Sequence, residues 1–198
     1  MGDKEVAVGR QEKINMEISI EESKIKGLFV IGGGSFADER GFFREIFHLD
    51  ELIKKTGVDF KPVQWNHSVS KSGVIRASHA ENWNKLVYPV TGKMFAAIAD
   101  IRPESPTFAK VETFIFDTKK ERRALFVARG LTNSICVVEN EDVHYMYLAD
   151  AYYDGKDTRA VAWDDPDLGI KWPIKNPILS ERDKNNPKLR DLFPEKFK

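Results

Sequence analysis

The feature that most constrains this chain is a succession of short β-type runs. "GLFVIGG", "RGFFREIF", "KPVQWNHSV", "KLVYPV", "KMFAAIADI", "KVETFIFD", "RALFVA", "SICVVE" and "VHYMYLADAYY" follow one another from Gly27 to Tyr153, punctuated by Gly, Pro, Asp and Asn. Strands this short bury little by themselves, so the sequence predicts a sandwich or a barrel in which many of them share one core. "TGK" at 91–93 and "ENED" at 139–142 lie between β-branched and aromatic runs and are expected to be hairpin turns. A helical pattern appears early only in "LDELIKKTG", with Asp50 near its start and Gly57 as a natural stop. After about residue 154 the strands are expected to give way to a Pro-rich polar tail with a short helix near 186–192. Trp172, Ile174, Ile178 and Leu179 make that tail too apolar to be left in water, so it must pack back on the strands. Residues 1–16 are polar and unpatterned, a flexible or arm-like extension to a single domain over 17–198.

Charge and cysteine content exclude several classes. Thirty-one basic side chains balance thirty-one acidic ones, so nothing global favours nucleic acid or an anionic membrane, and an anionic ligand has to be held locally. The single Cys136, within "SICVV", rules out an intrachain disulfide and suits a buried, inert thiol in a reducing cytoplasm. There is no zinc-ligand spacing, no signal-peptide core at the start and no apolar run of bilayer length. Cytoplasmic location is the expectation.

Against that background "GVIRASHAENWNKLVY", residues 73–88, is odd. Arg76 and His79 are three apart and would point to opposite faces of a regular strand; both reach one cavity only across a bulge or a strand end. The plainer reading makes Arg76 and Lys85 surface charges and His79 a hydrogen-bonded structural residue. Further polar concentrations occur at "DERGFFRE", "PVQWNHS" and "LSERD", each set against apolar neighbours, and a barrel could aim them into one interior.

These segments, in this order, resemble the nucleotide-sugar 3,5-epimerases typified by dTDP-4-dehydrorhamnose 3,5-epimerase. The matching pieces are "DERGFFRE", "QWNHSVSKSGVIR", His79, "KLV", "GKMFAAIADIRPESPTF", "YLADAYY", "WDDPDLGIKWP" and "LSERD", spanning roughly residues 20–190. The resemblance implies a mainly β fold, a double-stranded β-helix (cupin jelly roll) with a few short helices, usually dimeric, with the site inside the barrel. It implies no metal and no cofactor. A 4-keto sugar has acidified protons at C3 and C5, so a base on one face and an acid on the other can invert either centre. By resemblance His79 is the base, Asp183 orients it, Lys85 sits beside the developing C4 oxyanion, and Tyr147 donates a proton from the opposite face. Tyr145 and Tyr153 are the residues most readily confused with Tyr147, and Tyr153 is placed among the substrate-binding side chains. Arg40 and Arg76 match arginines of the nucleotide-binding region, where forked donors suit a diphosphate. Gln64 and Asn66 match polar positions near the ligand, and Glu45 orients an arginine or contacts the nucleotide.

The chain also departs from the family pattern. Ala77 in "RASH" replaces a glycine, tolerable only at negative φ, and Asn133 in "ARGLTNS" stands where a second histidine is usual. The segment between His79 and Lys85 is shorter than in the common rhamnose-pathway enzymes. Asn133 is therefore expected to shape the sugar pocket, and "ENED" is expected to bring it to Tyr147 in one hairpin. Trp163 and Trp172 read as packing residues, and His67 and His144 as structural. The lead function is a nucleotide-sugar epimerase acting on dTDP-4-dehydro-6-deoxy-D-glucose. The alternatives are a 3- or 5-only enzyme, one using a CDP- or GDP-linked sugar, and a non-catalytic sugar-nucleotide-binding cupin.

Overall fold

A computed structural model describes residues 18–121, 123–155 and 158–197. The expected N-terminal arm, residues 1–16, lies outside the described residues. The strands are β1 (Ser19–Glu22), β2 (Leu28–Gly32), β3 (Ser35–Asp38), β4 (Gly41–Arg44), β5 (Gln64–Ser70), β6 (Ile75–Glu81), β7 (Lys85–Thr91), β8 (Lys93–Ala99), β9 (Val111–Asp117), β10 (Arg123–Val127), β11 (Thr132–Val137), β12 (Val143–Ala149) and β13 (Thr158–Ala160). A six-stranded sheet runs β1-β2-β10-β7-β12-β5, a five-stranded sheet runs β13-β6-β11-β8-β9, and β3–β4 form a separate ribbon. The two larger sheets make the jelly roll.

Two turns do something other than expected. "TGK" joins β7 to β8 and "ENED" joins β11 to β12, but in each case the two strands belong to different sheets and do not pair. Both are arches that cross the sandwich, not hairpins. Turn chemistry reports that the chain reverses; whether the next strand pairs with the last or steps to the opposite sheet depends on which faces must meet in the core. Gly92 in the first arch has φ 85°, and a Cβ there would lie 2.9 Å from the Asp142 carbonyl oxygen. Only glycine fits. Strands β1 and β13 also lie outside the expected runs, since "SIEE" is largely polar and three residues of β13 carry no pattern to read.

The sandwich interior is filled by Leu28, Val87, Met94, Ile98, Phe116, Leu125, Ile135 and Val143, among others. Helix α1 (Leu49–Thr56), ended by Gly57 in the left-handed conformation, covers the outer face of the six-stranded sheet. There Leu52 and Phe60 are fully buried, and Phe60 meets Phe126 edge-on at 5.4 Å. Each such side chain contributes about 1.5–3 kcal/mol by leaving water. The C-terminal tail covers the outer face of the five-stranded sheet with Trp163, Trp172, Ile174 and Leu179. Trp172 donates its indole N–H to the Trp163 carbonyl at 2.6 Å and packs edge-on against Phe95, so both tryptophans are packing residues. Ile178 does not join them: its side chain is 60% exposed, and its backbone instead bonds Gly73 and Ile75. Two short helices, α2 (Glu181–Lys184) and α3 (Leu189–Leu192), finish the tail, with Ser180 accepting a hydrogen bond from the Asp183 N–H at the start of α2.

Candidate active site

Strand β6 is irregular between Arg76 and His79. Against β11, His79 aligns with Asn133 and Arg76 with Ile135, so β6 spends one residue more than its neighbour over this stretch. Ala77 packs outward with Ile75 and Cys136, and Ser78 Oγ accepts a hydrogen bond from the Ser134 hydroxyl at 3.1 Å. The bulge thereby returns His79 to the face that Arg76 occupies. Ala77 is not among the residues of positive φ, so its methyl group causes no backbone strain.

His79 Nε2 lies 2.6 Å from Asp183 Oδ1, and the Ala77 N–H approaches the second carboxylate oxygen at 3.5 Å. Asp183 is 3% exposed; it reaches this point because the tail brings α2 into contact with β6. Burial alone would raise its carboxyl, but the bonds from His79 and the Ala77 amide outweigh burial and hold it below the ordinary aspartate range. With Nε2 tied to a carboxylate, the ring's other nitrogen is the one free to take a proton from carbon.

The opposite sheet supplies a second cluster. Lys85, 5% exposed at the start of β7, forms an ion pair with Glu81 from the end of β6, and its ammonium lies 5.6 Å from the centre of the Tyr147 ring. Burial pulls the lysine below its ordinary value, and the Glu81 carboxylate acts against that shift. Tyr147 on β12 is pushed above the usual phenol value, first by burial and then by Glu81, with Arg76 pulling the other way. Tyr145, two residues earlier on the same inward face, is deeply buried, and its hydroxyl bonds the Asn133 side chain at 3.0 and 3.2 Å. Asn133 is thus fastened to Tyr145, not to Tyr147, and no hairpin is involved. Such a constellation can remove a proton on one side, stabilise an oxyanion and return a proton from the other side.

Further polar side chains lie on β5, on β6 and beyond β12. Gln64 and Asn66 on β5 bond each other at 2.9 Å, Asn66 aligns with Tyr147 in the ladder, and the buried Asn66 Nδ2 has no hydrogen-bond partner among the described residues. The Tyr153 N–H donates to Gln64 Oε1 at 3.0 Å while its ring meets Trp83 edge-on. Arg76 donates to Ser70 Oγ and to the Val69 carbonyl, leaving part of its fork exposed. Arg40 and Glu45 are elsewhere: Arg40 tips the exposed β3–β4 ribbon, paired with Asp38 at 2.5 Å, and Glu45 bonds His48 at 3.1 Å. His67 and His144 bond each other at 3.0 Å across β5 and β12. Among the described residues no group of three His, Cys, Asp or Glu side chains is placed to hold a metal ion, and no helix is long and apolar enough to cross a membrane.

A family model for dTDP-4-dehydrorhamnose 3,5-epimerase matches residues 22–191. The chain belongs to the dTDP-4-dehydrorhamnose 3,5-epimerase family. It is 32% identical to the dTDP-4-dehydrorhamnose 3,5-epimerase of Shigella flexneri over 88% of this chain and 97% of that one. NovW, a 4-keto-6-deoxy sugar epimerase from the novobiocin gene cluster of Streptomyces spheroides, superposes with a TM-score of 0.86 at 29% identity, covering 91% of this chain and 92% of that one. The Legionella pneumophila epimerase solved with dTDP-4-keto-L-rhamnose gives 0.83 at 28% identity, covering 90% and 96%.

Membership in this epimerase family makes the chain an isomerase acting on a carbohydrate, and it fits the jelly roll already described. Two inward side chains, Glu81 and Tyr145, join the site beyond those that the family resemblance implies. Glu81 had a legible signal, because it shares strand parity with His79 and so had to face the same interior. The bond from Tyr145 to Asn133 joins two sheets and has no signature in sequence.

Proposed function

We propose that this chain inverts C3 and C5 of dTDP-4-dehydro-6-deoxy-D-glucose to give dTDP-4-dehydro-L-rhamnose. The observation that carries the proposal is the His79–Asp183 pair on one sheet facing the Lys85–Tyr147 cluster on the other across one interior. His79, oriented by Asp183, takes the proton from the carbon next to the ketone. Lys85 meets the negative charge that develops on the C4 oxygen, where a preformed cation shielded from water is most effective. Tyr147 returns a proton on the opposite face. Repeating the step at the second carbon inverts both centres without a change of redox state.

Arg76, Gln64, Asn66 and Tyr153 line the approach for the diphosphate and nucleotide, and the unpaired Asn66 Nδ2 is a donor awaiting an acceptor. Arg40 and Glu45 are proposed to contribute from the β3–β4 ribbon and the segment after it. The chain is proposed to work as a cytoplasmic homodimer. Trp65, 70% exposed, lines a cavity of about 250 Å³ together with Ile46, Phe47, Leu86, Tyr88, Met146, Tyr147 and Leu148, and Val69 on the same strand is 44% exposed, apolar surface of a kind that a second copy would cover. The lone cysteine, Cys136, is buried and pushed up to about 11, which suits a thiol with no redox duty.

Proton NMR in heavy water tests the function. Incubation with the dTDP-linked 4-keto sugar should place deuterium at C3 and C5 with inversion at both. No exchange with dTDP-, CDP- or GDP-linked 4-keto sugars would overturn the proposal.

A further inference from the structure

Glu81 is a charged side chain of the barrel interior that the proposed mechanism leaves idle. Its carboxylate is only 14% exposed and it forms an ion pair with Lys85, itself 7% exposed at the side chain. Two buried charges of opposite sign hold each other in place; remove one and the other is stranded in a poorly solvated site. Among the described residues Glu81 is the sole hydrogen-bond partner of the Lys85 ammonium, so two of its three N–H groups remain to be aimed. Glu81 sits two residues beyond His79 on β6, while Lys85 opens β7 in the facing sheet, so the pair ties the base-bearing strand to the oxyanion-bearing one.

We propose that Glu81 is a positioning residue for the epimerisation, holding Lys85 charged and directed at the place where the C4 oxyanion forms. The inference rests on the proposed function for its chemistry, but the pairing it depends on does not. A flexible lysine stem opening a strand has many rotamers, and one carboxylate on the neighbouring strand selects among them. The same carboxylate offsets the burial that would otherwise favour the neutral amine. The other titratable and charged groups around the pair are His79 and Arg76 on β6, Tyr145 and Tyr147 on β12, and Tyr153 beyond β12; on β10, Lys85 aligns with the apolar Val127. None of these side chains supplies a negative charge to the ammonium and Arg76 is a like charge, so the carboxylate that acts on Lys85 is that of Glu81.

The test compares Glu81→Gln, which keeps the shape and an acceptor but loses the charge, with Glu81→Asp, which keeps the charge. Competitive acetylation across a pH series, read by mass spectrometry on the peptide containing Lys85, reports the titration of that amine without any turnover. In Glu81→Gln the Lys85 midpoint should fall by a unit or more. With substrate, the alkaline limb of the kcat profile should move down by the same amount, kcat at pH above the wild-type midpoint should drop tenfold or more, and KM should stay within about twofold. Glu81→Asp should return the midpoint close to that of the wild type. An unmoved Lys85 midpoint in Glu81→Gln, or a uniform loss of kcat with the alkaline limb in place, would overturn the inference. Failure of the wild type to exchange protons with any nucleotide-linked 4-keto sugar would instead overturn the proposed function, while the acetylation series still decides the role of Glu81.

Discussion

His79 and Asp183 are 104 residues apart in the chain and 2.6 Å apart in the fold, Nε2 to Oδ1. The carboxylate is buried, aligned by an amide N–H from the bulge of β6, and held below the ordinary aspartate value. Because the folded value is the depressed one, the contact stabilises the native state above the unfolded aspartate value and loses that contribution only as pH falls through the folded one. The dyad is therefore intact throughout the neutral range, where the base has to work.

His79→Asn should abolish solvent exchange at the sugar, by about 10³-fold or more, with nucleotide affinity largely unchanged. Asp183→Asn, which preserves shape but withdraws the counter-charge of the imidazolium, should reduce the same step less, on the order of 10²-fold. Deuterium uptake followed by NMR measures both. Wild-type exchange in the His79 variant would remove the base from this assignment.

Tyr147 and Tyr145 share a face of β12 but have different surroundings, and their variants should separate. Tyr147→Phe should still let His79 exchange a proton on its own face, while inverted product falls roughly 10²-fold. Tyr145→Phe breaks a buried bond to Asn133, so it should destabilise the fold by about 1–3 kcal/mol in urea unfolding. Asn133→Ala should show the same loss, and the double variant should fall short of the sum of the two. Additive losses would mean that Asn133 acts independently of Tyr145.

Arg76 lies on the strand that carries the base, whereas Arg40 stands on an exposed ribbon. Arg76→Gln should raise KM about tenfold with kcat within about threefold, and binding should lose part of its salt dependence. Steady-state kinetics at two ionic strengths decides it. The same direction is expected for Arg40→Gln if the ribbon closes over the nucleotide; an unchanged KM would leave Arg40 as a turn residue.

Asp100 is fully buried and accepts hydrogen bonds from Arg102, Ser105 and Thr107, which together outweigh burial and keep its carboxyl below the ordinary 3.8. Asp100→Asn should destabilise the protein by about 3–5 kcal/mol, since it leaves the Arg102 charge without its partner. In the wild type this contribution is fully present above the unfolded aspartate value and fades as pH falls through the lower folded value. Urea midpoints at pH 7 and pH 3 should therefore differ less in the variant than in the wild type.

Much of this was legible in the sequence because it is local. Period-two runs with turn residues between them determined a β sandwich or barrel, "LDELIKKTG" determined a helix ending at Gly57, and the three-residue spacing of Arg76 and His79 left a bulge or a strand end as the ways to one cavity, of which the fold uses the bulge. What only the tertiary structure decided is non-local. The turns at 91–93 and 139–142 cross between sheets because sidedness in the core, not turn chemistry, selects the partner strand. Glu81 meets Lys85, and Asn133 meets Tyr145, because facing sheets bring inward side chains together whatever their separation in the chain. Sequence periodicity tells a side chain which way to point; only the closed sandwich determines what it points at.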